Sequence, residues 1–333
     1  MAGVRKVGLM ILRIARALAG AFWLAPAFGA VLPENFAVAE SILLGQSRAD
    51  GVAATSAGHP LVDQTESASA DAEQLLFRTR AIITGGILGV AAYGQRKWWR
   101  DGFTGDFRTS SERWFGSDTD SGGADKLGHV FTTYAGTRLL TWSFRALGHE
   151  PDYALWLGVV TTLATVTGIE VLDGFSKRYR FSKEDAIMNV AGAGFAYLME
   201  KRPELDELVD FRLLYRRSRT GGQHNEWDPF GDYSGQTYLL AFKGSGMPVL
   251  RDNQWLRYAE FAVGYNARGF ETVDGLPGER SRRVYAGLSL NLSQLLNDTV
   301  FRDSRGSRAQ RFTSGFLEFV QVPGTAALAD HRY

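Results

Sequence analysis

The 333-residue chain has no cysteine and no surplus of one charge: 37 basic residues stand against 36 acidic ones, a formal net charge of +1. The first absence removes disulfide frameworks, thiolate nucleophiles, cysteine-ligated zinc, iron–sulfur clusters and the acylated cysteine of bacterial lipoproteins. The second leaves no basic face, so nucleic acid is not expected as a partner. Motifs are scarce too. The sequence contains no Gly-x-Ser-x-Gly elbow, Walker loop, dinucleotide fingerprint or His-Glu-x-x-His helix, which leaves hydrolase and nucleotide chemistry without support. What the chain does have is apolar and aromatic material. Hydrophobic residues make up 45%, including 21 Phe, 12 Tyr and 8 Trp, enough for a sizeable core.

Residues 1–39 have the anatomy of an export signal. Arg5, Lys6, Arg13 and Arg16 come first, an apolar run follows from Ala17 to Leu32, Pro33 breaks it, and Ala37-Val38-Ala39 supplies the small side chains a signal peptidase needs. Cleavage is expected after Ala39, with Ala25-Pro26-Ala27 as the alternative site and an uncleaved membrane anchor as the competing reading. Either way the remainder is expected in the bacterial cell envelope, at the periplasmic face or outer membrane, the inner membrane being the alternative. Residues 40–73, rich in Ser, Ala, Gly and Asp, read as a linker.

Two hydrophobic periods divide the rest. From 74 to 220 apolar residues group into helical blocks at 74–96, 126–147, 153–173 and 183–200, separated by Gly, Pro and charged breaks. The third block has Glu170 as its one charge between Ala154 and Leu172, long enough for a membrane span but diluted by Thr and Gly. In 221–333 the period becomes two, with strands expected at 237–243, 257–266, 283–292 and 312–322. The fold class expected is α+β: a membrane-associated helical bundle of about four helices, then a small antiparallel β-meander. Two basic stretches carry open readings. Arg96-Lys97-Trp98-Trp99-Arg100 suits a membrane–water interface or a helix cap, and Arg212 to Arg219 a solvated connector or a lipid-headgroup site.

The helical blocks also carry polar pairs at helical spacing. Asp125 and His129 lie at i, i+4 with Lys126 between them, Glu170 and Asp173 at i, i+3, and Asp185 and Asn189 at i, i+4. Asp125 and Asp185 sit at helix N-termini, which favour negative charge. Glu170 and Asp173 sit at a C-terminus, which does not, so Arg178, Arg180 or Lys126 is expected to compensate them. Three explanations compete: a buried charge network that fixes helix packing, a ligand or catalytic site without metal, and a metal site of His129 with several carboxylates, whose oxygen-rich ligands would suit Mg, Mn or Ca. Asp125, Glu170, Asp173 and Asp185 against Lys126, Arg178 and Arg180 leave a net charge of −1, so neither a metal nor another cofactor is expected.

Three motifs in order, Ala124-Asp125-Lys126-Leu127-Gly128-His129, Gly168-Ile169-Glu170-Val171-Leu172-Asp173-Gly174 and Phe181-Ser182-Lys183-Glu184-Asp185 with Asn189 and Gly192, resemble the DUF2279 or YfiM-like group of predicted periplasmic lipoproteins. The resemblance spans about residues 124 to 200, the middle of the chain. It implies an envelope location. Having no cysteine, the chain departs from the lipidated members, and their anchor is not carried over. A lesser similarity is to VanZ-like membrane proteins, which have an Asp-Lys-x-x-His helix. Neither resemblance implies a reaction, substrate or cofactor.

The leading expectation is a non-enzymatic envelope protein that holds a membrane lipid or an envelope protein partner. The alternative is an envelope enzyme acting on a lipid or cell-wall intermediate. There His129 would be general acid or base, Asp125 or Glu170 would orient it, and Lys126 or Arg180 would hold an anionic group.

Overall fold

The computed structural model describes residues 61–218, 228–270 and 280–333. The export signal, its cleavage sites and most of the linker lie outside the described residues. The chain divides into two compact units, Met1–Ala91 and Ala92–Tyr333. Helix α1 runs over Leu61–Lys97, so its start precedes the expected one by thirteen residues and takes in the end of the expected linker. Ala, Glu and Gln recur there, and no Gly or Pro interrupts the sequence from 61 to 84, so helix propensity prevails over the polar composition.

The second unit carries helices α2 (Ala124–Leu147), α3 (Pro151–Phe175), α4 (Lys183–Lys201), α5 (Pro203–Leu208), α6 (Pro248–Arg251), α7 (Leu292–Asp298) and α8 (Arg308–Phe319). With α1, the described residues hold eight helices and one five-stranded antiparallel sheet, an α+β fold. Helices α2, α3 and α4 pack on one another. Their ends are written in the sequence. Gly148, with φ 105°, terminates α2 in the left-handed conformation, Glu150 caps α3, and Ser182 caps α4. Where α2 and α4 approach, Gly192 leaves no room for a side chain: a Cβ there would lie 2.4 Å from the Val130 carbonyl oxygen. By length and composition, α3 and the 70–97 part of α1 could each cross a bilayer; the apolar stretch of α1 is 6% buried and that of α3 28%.

A two-stranded parallel ladder, β1 (Thr109–Ser110) with β2 (Phe181–Ser182), ties the segment before α2 to the start of α4. The main sheet is a meander of β3 (Val209–Tyr215), β4 (Gln236–Lys243), β5 (Ala259–Arg268), β6 (Ser281–Leu290) and β7 (Ala326–Arg332). It begins before the expected boundary at 221 and shares its region with α6, α7 and α8. Residues 312–322, expected as a strand, lie largely in α8. Ser307 caps that helix, and only its end, with Leu317 and Phe319 buried two residues apart, keeps the alternation expected of a strand. Residues 320–325 then run from the edge strand β3 to the start of β7 beside β6. Val320 bridges Leu213 of β3, and Leu290 N–H of β6 donates to the Thr325 carbonyl at 2.9 Å.

The sheet is apolar toward the helices, while its other face mixes the buried Leu239, Ala241 and Ala262 with charged groups. Phe211 and Tyr238 join Tyr134, Ala196, Met199 and Phe319 in the main core, where Phe131 meets Phe211 edge to face at 5.4 Å. The opposite face buries Arg212 between Asp210 and Glu260. The guanidinium donates to both Glu260 oxygens at 2.8 Å, Gln321 Oε1 accepts at 3.1 Å, and Lys243 Nζ holds Asp210 at 2.6 Å. The basic stretch beginning at Arg212 is therefore not a solvated connector at that residue: Arg212 is part of β3 and 3% exposed. Trp99, in the other basic stretch, is likewise buried rather than interfacial.

Candidate functional site

The β1–β2 ladder sets Ser111 and Glu112 beside the first turn of α4. Ser111 donates to Glu184, and the Ser182 hydroxyl accepts from Asp185 N–H at 3.2 Å, holding the Asp185 carboxylate at the helix N-terminus. On α2, Ser121 donates to Asp125. Between these carboxylates lies Lys126, whose side chain is 1% exposed. Its ammonium donates to Glu112 at 2.6 Å, Asp185 at 2.7 Å and Asp125 at 2.8 Å, using its three protons on three separate stretches of chain.

One turn along α2, His129 faces α4 and α3. Its Nδ1 lies 3.1 Å from Asn189 Oδ1 and 3.6 Å from Glu170, and its Nε2 lies 3.7 Å from Asp185. Asn189 Oδ1 also accepts from Thr133 at 2.9 Å, so with this amide orientation Nδ1–H is the donor to Asn189. The imidazole and Glu112 are the partly open members of the group, 27% and 29% exposed, whereas the side chains of Glu170 and Asp185 are 3% and 7% exposed.

Burial shapes the charge state. Glu112 is pushed up to about 8 by burial and the neighbouring Asp185 carboxylate, against the pull of Lys126. It therefore carries a proton at neutral pH. Burial also drives Glu170 well above the usual carboxylate range, with Asp185, Asp173 and Glu112 adding repulsion and the Ser182 backbone N–H opposing it. Burial alone would raise Asp185, but His129 and Lys126 hold it below its usual value. Lys126 is desolvated, yet its carboxylates keep it firmly charged.

The expected group is thus brought together at Asp125, Lys126, His129, Glu170, Asp185 and Asn189. Asp173 points elsewhere, accepting from the Trp99 indole N–H at 2.6 Å, and burial raises it to about 7. Arg178 and Arg180, expected to compensate the carboxylates, are exposed; the chain turns outward after α3 ends at Phe175. Glu112 was not anticipated. It is a lone carboxylate in a loop with no helically spaced partner, and a long-range two-residue ladder delivers it. With the arginines outside, the formal count sets four carboxylates, Glu112, Asp125, Glu170 and Asp185, against Lys126, more negative than the −1 expected. Proton uptake by Glu112 and Glu170 relieves the excess negative charge.

Two overlapping sets could also hold a cation: His129, Glu170 and Asp185, and Glu112, Asp125 and Asp185, each with ligand atoms within 4.8 Å of one another. Oxygen-rich donors of this kind suit Mg, Mn or Ca. Chemically, the partly open imidazole backed by two buried carboxyl groups can give or take a proton.

All three motifs meet at this cluster in the expected order. Residues 111–201 match the DUF2279 family, predicted periplasmic lipoprotein. The DUF2279 match begins beside Glu112, contains every residue of the cluster and ends at the close of α4, before the sheet. Its description agrees with an exported cell-envelope protein. The lipid part of the description finds no cysteine in these 333 residues. No curated protein and no solved structure matches the chain.

Proposed function

We propose that this is a non-enzymatic, membrane-associated protein of the bacterial envelope, in which the cluster around Lys126 locks the helices so that the surrounding surface can hold a lipid or protein partner. The observation that carries this reading is the use of all three Lys126 protons by Glu112, Asp125 and Asp185. An ammonium so occupied has no donor left for an anionic substrate. Removing it would strand the carboxylates, so the group serves packing first. The apolar stretches of α1 and α3 support membrane association.

Fractionation of the envelope, with the mature N-terminus identified by mass spectrometry, tests the placement. Recovery with the outer membrane or periplasm and cleavage near Ala39 is expected; inner-membrane recovery with Met1 intact would overturn it.

A second reading, an envelope enzyme acting on a lipid or cell-wall intermediate, draws on the partial exposure of His129 beside Glu170 and Asp185. Substitution His129→Gln separates the two. Loss of function at unchanged thermal stability supports chemistry, whereas retained function or a matching loss of stability supports the packing role.

A further inference from the structure

One end of the sheet, outside the DUF2279 segment, carries apolar side chains where a soluble surface would bury them. Val249 is 88% exposed, Phe312 76%, Trp255 74% and Val300 66%. They come from α6, α8 and the turns between elements, and α7 joins these pieces. Asp298 accepts from Arg257 at 2.5 Å and from Arg305 at 3.0 Å, while Asn297 accepts from Gln310 of α8 at 2.9 Å. The same segments are basic: Arg251, Arg302, Arg308 and Arg311 are exposed, and Arg257 and Arg305 pair with Asp298, against the further acids Asp252 and Asp303. On α8, Arg308, Arg311, Phe312 and Phe316 are exposed at i, i+3, i+4 and i+8.

We infer that this arginine- and aromatic-lined end of the sheet docks on an anionic phospholipid surface. The surplus of arginine complements anionic headgroups. The exposed apolar side chains come from separate elements, which suits a fluid apolar layer better than a shaped protein partner. Trp255 and Phe312 enter the boundary between headgroups and acyl chains, and Arg302, Arg308 and Arg311 bind phosphates above it. This specifies the lipid of the reading proposed above but does not involve the Lys126 cluster.

The test is flotation of the full chain with phosphatidylcholine vesicles, with and without phosphatidylglycerol, at low and high salt. Tighter binding is expected with phosphatidylglycerol than without it, the difference falling as salt rises, with a blue shift of tryptophan emission that Trp255→Phe diminishes. Replacing Arg308 and Arg311 by Gln should weaken binding about fivefold for each arginine. Phe312→Ser should weaken it further, with thermal stability unchanged in all three variants. Equal binding by wild type and variants would assign the affinity to other segments and overturn the proposal. So would failure to bind, or a wild-type dimer that Phe312→Ser dissociates. The envelope fractionation is independent of these outcomes, so either idea can fail alone.

Discussion

The Nζ atom of Lys126 on α2 lies 2.7 Å from Oδ1 of Asp185 on α4, and both side chains are almost completely buried. A charge pair in this setting is costly to break, because removing one partner leaves the other desolvated and uncompensated. Lys126→Met is therefore expected to lower unfolding free energy by about 3–5 kcal/mol. Adding Asp185→Asn should restore part of the loss by removing one stranded charge. Urea denaturation of the two variants checks this; a Lys126→Met protein as stable as wild type would mean that the cluster does not hold α2 to α4.

Stability should also depend on pH in a defined direction. Burial pushes Glu112 up to about 8, Asp173 to about 7, and the half-buried Glu318, beside Arg138, Asp210 and Asp206, to about 7. The folded protein keeps protons on these groups that the unfolded chain releases above about pH 4. Their contribution is complete at low pH and is lost as pH rises through the folded values, so stability should fall between about pH 5 and 8. Asp185 acts oppositely, but below its ordinary value and thus outside this window. His149, lowered by burial, opposes the trend only near and below its ordinary value. Melting temperatures across this range should show the decline, and Glu112→Gln should flatten it. An unchanged slope in that variant would remove Glu112 from the account.

The sequence foretold these elements unevenly, for physical reasons. Helices α2, α3 and α4 were legible because local signals mark their limits, including Gly148 and the Ser182 cap, and because Asp125/His129 and Asp185/Asn189 share faces at helical spacing. Glu112 was not legible, since its position depends on Thr109 pairing with Phe181, 72 residues away. Strand β3 was hidden because Arg212 and Asp210 point into the sheet interior, reversing the usual equation of charge with solvent. Residues 312–322 were ambiguous because a short aromatic run suits either period, and the Ser307 cap lies upstream of it.

Two glycines on one helix should respond oppositely to the same change. Gly192 faces Val130 and Thr133 of α2, whereas no atom lies within 4 Å of a Cβ built at Gly194. Gly192→Ala must push the helices apart and is expected to cost about 1–3 kcal/mol. Gly194→Ala gains helix propensity without a clash and should stabilise by about 0.5–1 kcal/mol. Thermal unfolding of the pair decides the matter: equal effects would mean that α2 and α4 are not in close contact at Gly192.

The interior of the sheet offers a sterner test, because it depends on residues that polarity alone would place outside. Glu260 is 1% exposed, receives two hydrogen bonds from Arg212 and accepts from the Ser289 hydroxyl at 2.7 Å. Arg212 and Lys243 balance Asp210 and Glu260, so the group is neutral as it stands. Glu260→Gln keeps the shape but leaves a surplus buried positive charge, with an expected cost of about 3–5 kcal/mol. Replacing Arg212 by Leu and Glu260 by Gln together removes both charges and should recover a substantial part of that cost. If water entered the sheet interior freely, each single substitution would cost less than about 1 kcal/mol, as for an exposed pair. A double-mutant cycle in guanidinium chloride, with the coupling energy as its readout, distinguishes a dry, charge-paired interior from a solvated one.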